Sequence, residues 1–357
     1  MMKKIIYMAS LLLAVTLWSC SDDEGEKYAY NPTITITSSN LEFTSGGGES
    51  VLTFSSTAGN AVSATLDADW CRVTALAGNS ATIEVDENTA YESRNARLVL
   101  SNGVDEVEVA VMQEGFYLYY DVSTMNKLIG NEASDWHVDF SSPIDDVTFK
   151  ISSYATNWLS AQSDEGGFTI HCKENTTGKP RWAEVLVQSN GVTLTYTVTQ
   201  LDMDDLTSVF IFQDTEQNVN QYMEKIPVTE EDGNYMFDFS SVLGMPITLT
   251  ARYASSTGNF TISGEQVVGQ ANGMNLINAC IGDDGSIYYG GSMDLVLNRL
   301  SGGNIAYTLQ DNGSLNGVTV AYFAFLYSTS SSLNGVDLDM GVMLFAEWQL
   351  AHESLFE

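Results

Sequence analysis

The sequence predicts an all-β protein: two small β-sandwiches in tandem, followed by a larger antiparallel β-barrel or β-sandwich domain. Three observations carry this reading. Short apolar runs alternate with Ser, Thr, Asn and Gly, the pattern of half-buried strands joined by polar turns. A block of strand, Asn-Gly turn and strand recurs about 87 residues further on. Beyond that repeat, consecutive short segments keep the two-residue alternation to the C-terminus. The 357 residues suffice for two or three domains, and a hydrophobic content of 44% against 17% charged gives each one a core.

Residues 1–19 read as a leader. Lys3 and Lys4 precede an apolar stretch, Ile5 to Trp18, that falls short of the roughly 20 residues needed to span a bilayer. It ends at Leu17-Trp18-Ser19-Cys20, which resembles the lipobox of a bacterial lipoprotein. There the Cys20 thiol takes a diacylglycerol and becomes the new N-terminus, and two or more acyl chains hold it at the membrane at about 0.8 kcal/mol per buried CH₂. Trp18 departs from the small residue usual at that place, and an ordinary signal peptide cut elsewhere is the alternative. Residues 20–32 form an acidic tether. Its run Ser21-Asp22-Asp23-Glu24-Gly25-Glu26 is either a solvated spacer or, by resemblance to surface-exposed lipoproteins of the Bacteroidetes, a sorting signal. The expected location is the outer membrane, exposed at the cell surface.

Residues 33–115 and 116–201 are the two copies of the repeat. In the first, Trp70 is followed by Ala81 to Val85, Asn88, Arg94, the strand Leu98-Val99-Leu100, the turn Ser101-Asn102-Gly103-Val104, and Val107 to Gln113. In the second, Trp158 precedes Phe168-Thr169-Ile170, Asn175, Arg181, Val185-Leu186-Val187, the turn Ser189-Asn190-Gly191-Val192, and Leu194 to Gln200. Strands this short and this regularly punctuated predict an immunoglobulin-like sandwich for each copy. Trp70 and Trp158 are expected to plug the two cores, and Arg94 and Arg181 to satisfy backbone carbonyls or a nearby acid. The Trp, the Asn and Arg before the last hairpin, and the closing Gln resemble the BACON domain, the Bacteroidetes-associated module often found N-terminally. Leu41-Glu42-Phe43 and Gly46-Gly47-Gly48 match its opening in the first copy, whereas the second has Asn131 to His137 there. The resemblance implies carbohydrate binding or a stalk role, and it carries over no sugar-contacting residue.

Residues 202–357 form the third region. Tyr235, Phe237 and Phe239 alternate, as do Phe260 and Ile262, and Met293, Leu295 and Leu297. The run Val318 to Tyr327 is apolar on both faces and reads as a central strand, and Val342 to Leu350 reads as a strand. This region is farthest from the anchor and is where ligand binding is expected. Exposed aromatic faces stack on pyranoses, so the candidate carbohydrate-binding residues are Tyr288, Tyr289 and Trp348. In a strand Tyr288 and Tyr289 point to opposite faces, so one at most joins a given site.

Charge and motifs exclude several functions. With 46 acidic and 14 basic residues the net charge is −32, which repels phosphate backbones, so no nucleic-acid partner is expected. Clustered carboxylates could take calcium, but Asp283-Asp284-Gly285-Ser286 is too short for an EF-hand loop and reads as an acidic turn. Cys71, Cys172 and Cys280 have no metal-like spacing and read as small buried residues. There is no nucleophile elbow, phosphate loop, dinucleotide fingerprint or His-Glu-x-x-His, and His137, His171 and His352 are the only imidazoles. No catalytic residue, metal or cofactor is expected. The function that follows is a lipid-anchored surface protein binding a polysaccharide or mucin-type glycan. The alternatives are a structural or adhesive protein contacting an envelope partner, and a glycoside hydrolase of unfamiliar type.

Overall fold

The computed structural model describes residues 31–213, 218–288 and 290–357. The leader, Cys20 and Tyr289 lie outside the described residues. Among the described residues strands dominate, and helix occurs only as turns of three or four residues. The described residues form two compact units.

The first unit takes in Glu49–Glu84, Ala96–Ala110 and the described residues up to Leu41. Ile34–Ser38 pairs antiparallel with Gly48–Ser56, through a bulge between Ile36 and Ser38. The sheet continues through Ser80–Val85 to Cys71–Ala77. Ser63–Leu66 pairs with the end of Arg94–Ser101, Leu66 opposite Leu98. Leu52, Phe54, Ala81, Ile83, Leu98 and Leu100 are all buried, as the alternation requires. The expected Asn-Gly hairpin is a longer turn here. Only Gly103 is left-handed (φ 79°), while the Asn102 side chain accepts from the amides of Val104 and Asp105. Asp105 then accepts from both the amide and the hydroxyl of Thr33 at 2.6 Å, fixing the start of the first strand.

The second unit takes in Glu42–Gly48, Val85–Asn95 and everything from Val111 onward. The second copy of the repeat is a sandwich of two four-stranded sheets. One runs Asn126–Ile129, Val192–Gln200, Arg181–Ser189, Thr148–Ile151; the other runs Leu159–Asp164, Gly167–Cys172, Ser134–Ser141, Tyr119–Tyr120. Alternate residues of both sheets, among them Val138, Phe140, Phe168, Ile170, Val185, Val187, Tyr196 and Val198, fill the core between them. Trp158 is buried in that core, with the Arg181 guanidinium 4.3 Å above its ring. Trp70 is only half-buried, so the plug is complete in the second copy alone.

Asn190-Gly191 joins Ser189 to Val192 as a two-residue turn with both φ positive (46° and 74°). A Cβ on Gly191 would meet nothing within 4 Å, so its cost is backbone strain alone. Gly191→Ala is therefore expected to lower stability by about 1 kcal/mol, read as a shift in the urea midpoint at unchanged slope.

From Thr207 onward, 13 strands share one sheet. It branches at Val342–Ala351. That strand pairs along its length with Thr207–Gln213, and on its other edge first with Val320–Ser328 and then with Ile305–Asp311. The strand order is open, from Val228–Glu231 to Gln266–Ala271, so the barrel alternative is not realised. The arms enclose a core rich in aromatic rings, including Phe210, Phe237, Phe260, Tyr307, Phe323 and Phe345. Val320–Ser328 is central, as its two-sided apolarity predicts. Phe323 and Phe325 face the large core, while Ala324 and Leu326 face a second cluster with Ile277 and Leu333. Leu128 and Trp182 of the second sandwich also pack against the large core. The Trp182 indole donates to the Leu300 carbonyl at 3.0 Å.

Candidate functional site

Of the aromatic residues singled out from sequence, two are described: Trp348 is buried and Tyr288 is half-buried. Trp348 is 1% exposed, its ring edge-on to Phe237, Phe239 and Phe345 at centroid distances of 4.9, 5.3 and 5.6 Å. This corrects the expectation of an exposed aromatic: the strand Val342–Ala351 turns Trp348 inward and leaves Glu347 and Gln349 outside. Tyr288 is half-buried, in a short strand paired with Cys280 and Ile281. Its hydroxyl donates to Asp284 Oδ2 at 2.6 Å, and Asp284 Oδ1 accepts from the Ser286 amide. These bonds, that of Tyr288 foremost, hold the Asp284 carboxyl below the usual carboxylate range. Tyr288 thus ties down its own acidic turn.

The repeated polar residues have the most fully specified geometry. In the first copy Arg94 Nε donates to Gln113 Oε1 (2.7 Å), and Nη2 donates to the carbonyls of Asp86 and Glu87. Gln113 Nε2 donates to the carbonyls of Thr44, Ser45 and Asp86. Asn88 Nδ2 donates to the carbonyls of Glu92 and Glu114. The second copy reproduces this. Arg181 donates to Gln200 Oε1 (2.9 Å) and to the carbonyls of Lys173 and Glu174, and Gln200 Nε2 donates to those of Asn131, Glu132 and Lys173. Asn88, Gln113, Asn175 and Gln200 are all buried. Buried polar groups need partners, and these find theirs within their own copy, in backbone carbonyls, in the paired Arg and, for Asn175, in Asn131 Oδ1. They are structural, as read for the two arginines.

The imidazoles lie elsewhere. His137 sits on the outer face of the strand Ser134–Ser141, between Asp164 (3.0 Å) and Asp139 (3.4 Å), and His171 faces Asp135 at 3.0 Å. A bond from the Thr169 hydroxyl, and to a lesser degree His137, keeps the Asp164 carboxyl below its ordinary range. His352 caps the turn Glu353–Leu355. Cys71, Cys172 and Cys280 are buried and form no disulfide, and burial pushes the Cys172 and Cys280 thiols up to about 11. Among the described residues, no group of three or more His, Cys, Asp or Glu side chains is placed to hold a metal ion.

The candidate site is a cleft of about 310 Å³ that no single stretch of sequence announces. It forms where the ends of Asn126–Ile129 and Val192–Gln200 meet the turn Met203–Asp205 and the hairpin Val228–Glu231, Asn234–Asp238. Leu128, Leu201, Val228 and Tyr235 give it apolar surface, and Asp202, Asp204 and Glu230 give it carboxylates. The Tyr235 ring is braced edge-on against Phe260 at 4.9 Å, and burial, then Glu230, raises its hydroxyl above the usual tyrosine value. Glu230 is fixed by accepting from the Gly233 amide at 3.0 Å. No Lys, Arg or His lines the cleft. Such a site can accept hydrogen bonds from hydroxyl or ammonium groups beside apolar side chains, and it repels anions.

Comparison with known proteins agrees with the architecture. Residues 54–114 and 147–201 match the BACON family, described as "Putative binding domain, N-terminal". No curated protein matches the chain. Among solved structures, a chimeric titin Z1Z2 is 11% identical, with 47% of this chain and 95% of that one covered and a TM-score of 0.32. The titin I-band fragment I67-I69 is 9% identical over 58% of this chain and 94% of that one, with a TM-score of 0.26. An endo-fucoidan hydrolase of glycoside hydrolase family 107, MfFcnA4, is 13% identical, with 48% of this chain and 29% of that one covered and a TM-score of 0.30. The chain thus spans less than a third of that hydrolase, and likenesses at this level carry no argument about activity. Residues 54–114 and 147–201 are thus each similar to the BACON family model, and the Asn, Arg and Gln that recur in them are the residues that lock each copy's end.

Proposed function

We propose that this chain is an exported, lipid-anchored surface protein that binds a neutral glycan in the cleft between Leu128, Asp202, Glu230 and Tyr235, with no catalysis. The carrying observation is the cleft itself, a concavity lined by apolar side chains and three carboxylate-bearing residues, with no cation among its described lining residues. Sugar hydroxyls donate well to fixed carboxylates, and the C–H faces of a pyranose cover apolar surface. The BACON match supports a binding role. The internal use of the recurring Asn, Arg and Gln supports placing the ligand in the cleft and not on those three side chains. The segment Lys3 to Cys20 supports export and anchoring.

The test is a glycan array probed with the chain from Ser21 onward, with and without calcium, beside Glu230→Gln and Tyr235→Phe. Glu230→Gln should weaken binding about tenfold, the worth of one charge-assisted hydrogen bond. Tyr235→Phe, which keeps the braced ring, should weaken it less. No binding to any glycan would sink the proposal and favour the structural or adhesive reading. Binding that ignores both variants would move the site elsewhere on the molecule.

A further inference from the structure

Each copy of the repeat ends in the same network, and each time the backbone it immobilises touches what comes next. In the first copy the pinned carbonyls belong to Thr44, Ser45 and Asp86. Gly46 follows directly, and a Cβ on it would fall 1.9 Å from the Pro143 carbonyl oxygen of the second copy. Asn88, held at both ends of its amide, precedes Thr89, whose carbonyl accepts from Asn190 Nδ2 at 2.7 Å. Phe116, the residue that leads out, is 3% exposed, donates its amide to Ala90 and sets its ring edge-on to Tyr91.

The second copy does the same with different side chains. Gln200 pins the carbonyls of Asn131 and Glu132, and the Asn131 amide reaches forward to Asp205 Oδ2 at 2.7 Å. A Cβ on Gly130 would come 2.9 Å from Asp202 Oδ1. A backbone surface held rigid from behind loses little entropy when another surface docks on it.

From this we infer that the Asn–Arg–Gln end of each BACON-like domain is a docking face, and that its partner is the next module of this same chain. The network fixes the presenting carbonyls from inside. Gly46 and Gly130 keep the approach close, and Asn190 and Asp205 supply the reciprocal hydrogen bonds.

The experiment is hydrogen exchange by mass spectrometry on the chain from Ser21 onward and on Gly46→Ala and Asn190→Gly. Gly46 does not have a positive φ, so Ala suits its backbone and acts only through the new Cβ. Glycine keeps the left-handed turn position of Asn190 while deleting the amide. Gly46→Ala should speed exchange in 116–120 and 141–146 about tenfold, and Asn190→Gly about threefold, with 96–100 and 183–187 unchanged. Unchanged exchange at 116–120 and 141–146 in both folded variants would overturn the docking role. So would a rise at 96–100 as large as at 116–120 in Gly46→Ala, since Gly46 would then serve its own module. Should Gly46→Ala fail to fold, Asn190→Gly decides alone, because Asn190 lies outside the first copy.

Discussion

Trp348→Ala will destabilise the C-terminal sheet by about 3–5 kcal/mol, a large part of the stability of a typical domain. The ring is enclosed by Phe237, Phe239 and Phe345 and sits on the strand where the sheet branches. Its removal opens a cavity between both arms at once, and the strand cannot shift to fill it while paired along both edges. Trp348→Phe should cost far less, about 1–2 kcal/mol. The indole Nε1 has no hydrogen-bond partner among the described residues, so Phe forfeits only area and shape. Urea unfolding followed by far-ultraviolet circular dichroism distinguishes this from a ligand-contacting role. In that case Trp348→Ala would stay as stable as the parent and lose only glycan affinity.

Trp348 also shows where sequence reading stops. Alternation fixes which residues of a strand share a face, and in the C-terminal region that sufficed. Phe237, Phe260 and Ile262, and Met293, Leu295 and Leu297 are buried on the faces their spacing implies. The apolar run to Tyr327 lies between Met274–Gly282 and Val342–Ala351. Strict alternation would put Phe345 and Trp348, three residues apart, on opposite faces, but a bulge opposite Ile211 and Phe212 skips Ala346 and turns both rings inward. Nothing local announces that bulge, and the rings it gathers them with, Phe237 and Phe239, are distant in sequence.

The candidate cleft was invisible for a related reason. Leu128, Asp202 and Glu230 lie in three separate stretches, and each reads locally as an ordinary strand-end or turn residue. The repeat ends near Leu201, yet Leu128 and Trp182 pack into the core of the sheet that follows. By contrast the recurring Arg94 and Arg181 were legible as structural, while the Asn and Gln beside them were visible only as a recurrence. Recurrence at fixed offset, together with donors that must find acceptors when buried, leaves the backbone as the natural partner. The two Asn-Gly turns read alike and fold differently. Asn190 adopts the left-handed conformation, while Asn102 spends its side chain on the amides of Val104 and Asp105.

Gln200→Glu is the second large effect, expected at about 3–4 kcal/mol for a change of one atom. Gln200 is fully buried, and its two ends do opposite work. Oε1 accepts from Arg181 Nε at 2.9 Å, whereas Nε2 donates to three carbonyls, each at 3.1 Å. Glutamate preserves the first function and strengthens it with charge. It also places an acceptor against the carbonyls of Asn131, Glu132 and Lys173, leaving them without that donor and facing a like-signed oxygen. The cation that Gln200 bonds, Arg181, has its own Nη2 committed to the carbonyls of Lys173 and Glu174. Gln113→Glu should behave alike in the first copy, where Arg94 and the carbonyls of Thr44, Ser45 and Asp86 take the same places. A chemical denaturation series on both variants checks this. If either glutamate variant matched the parent in stability, the network would not be what closes these domains.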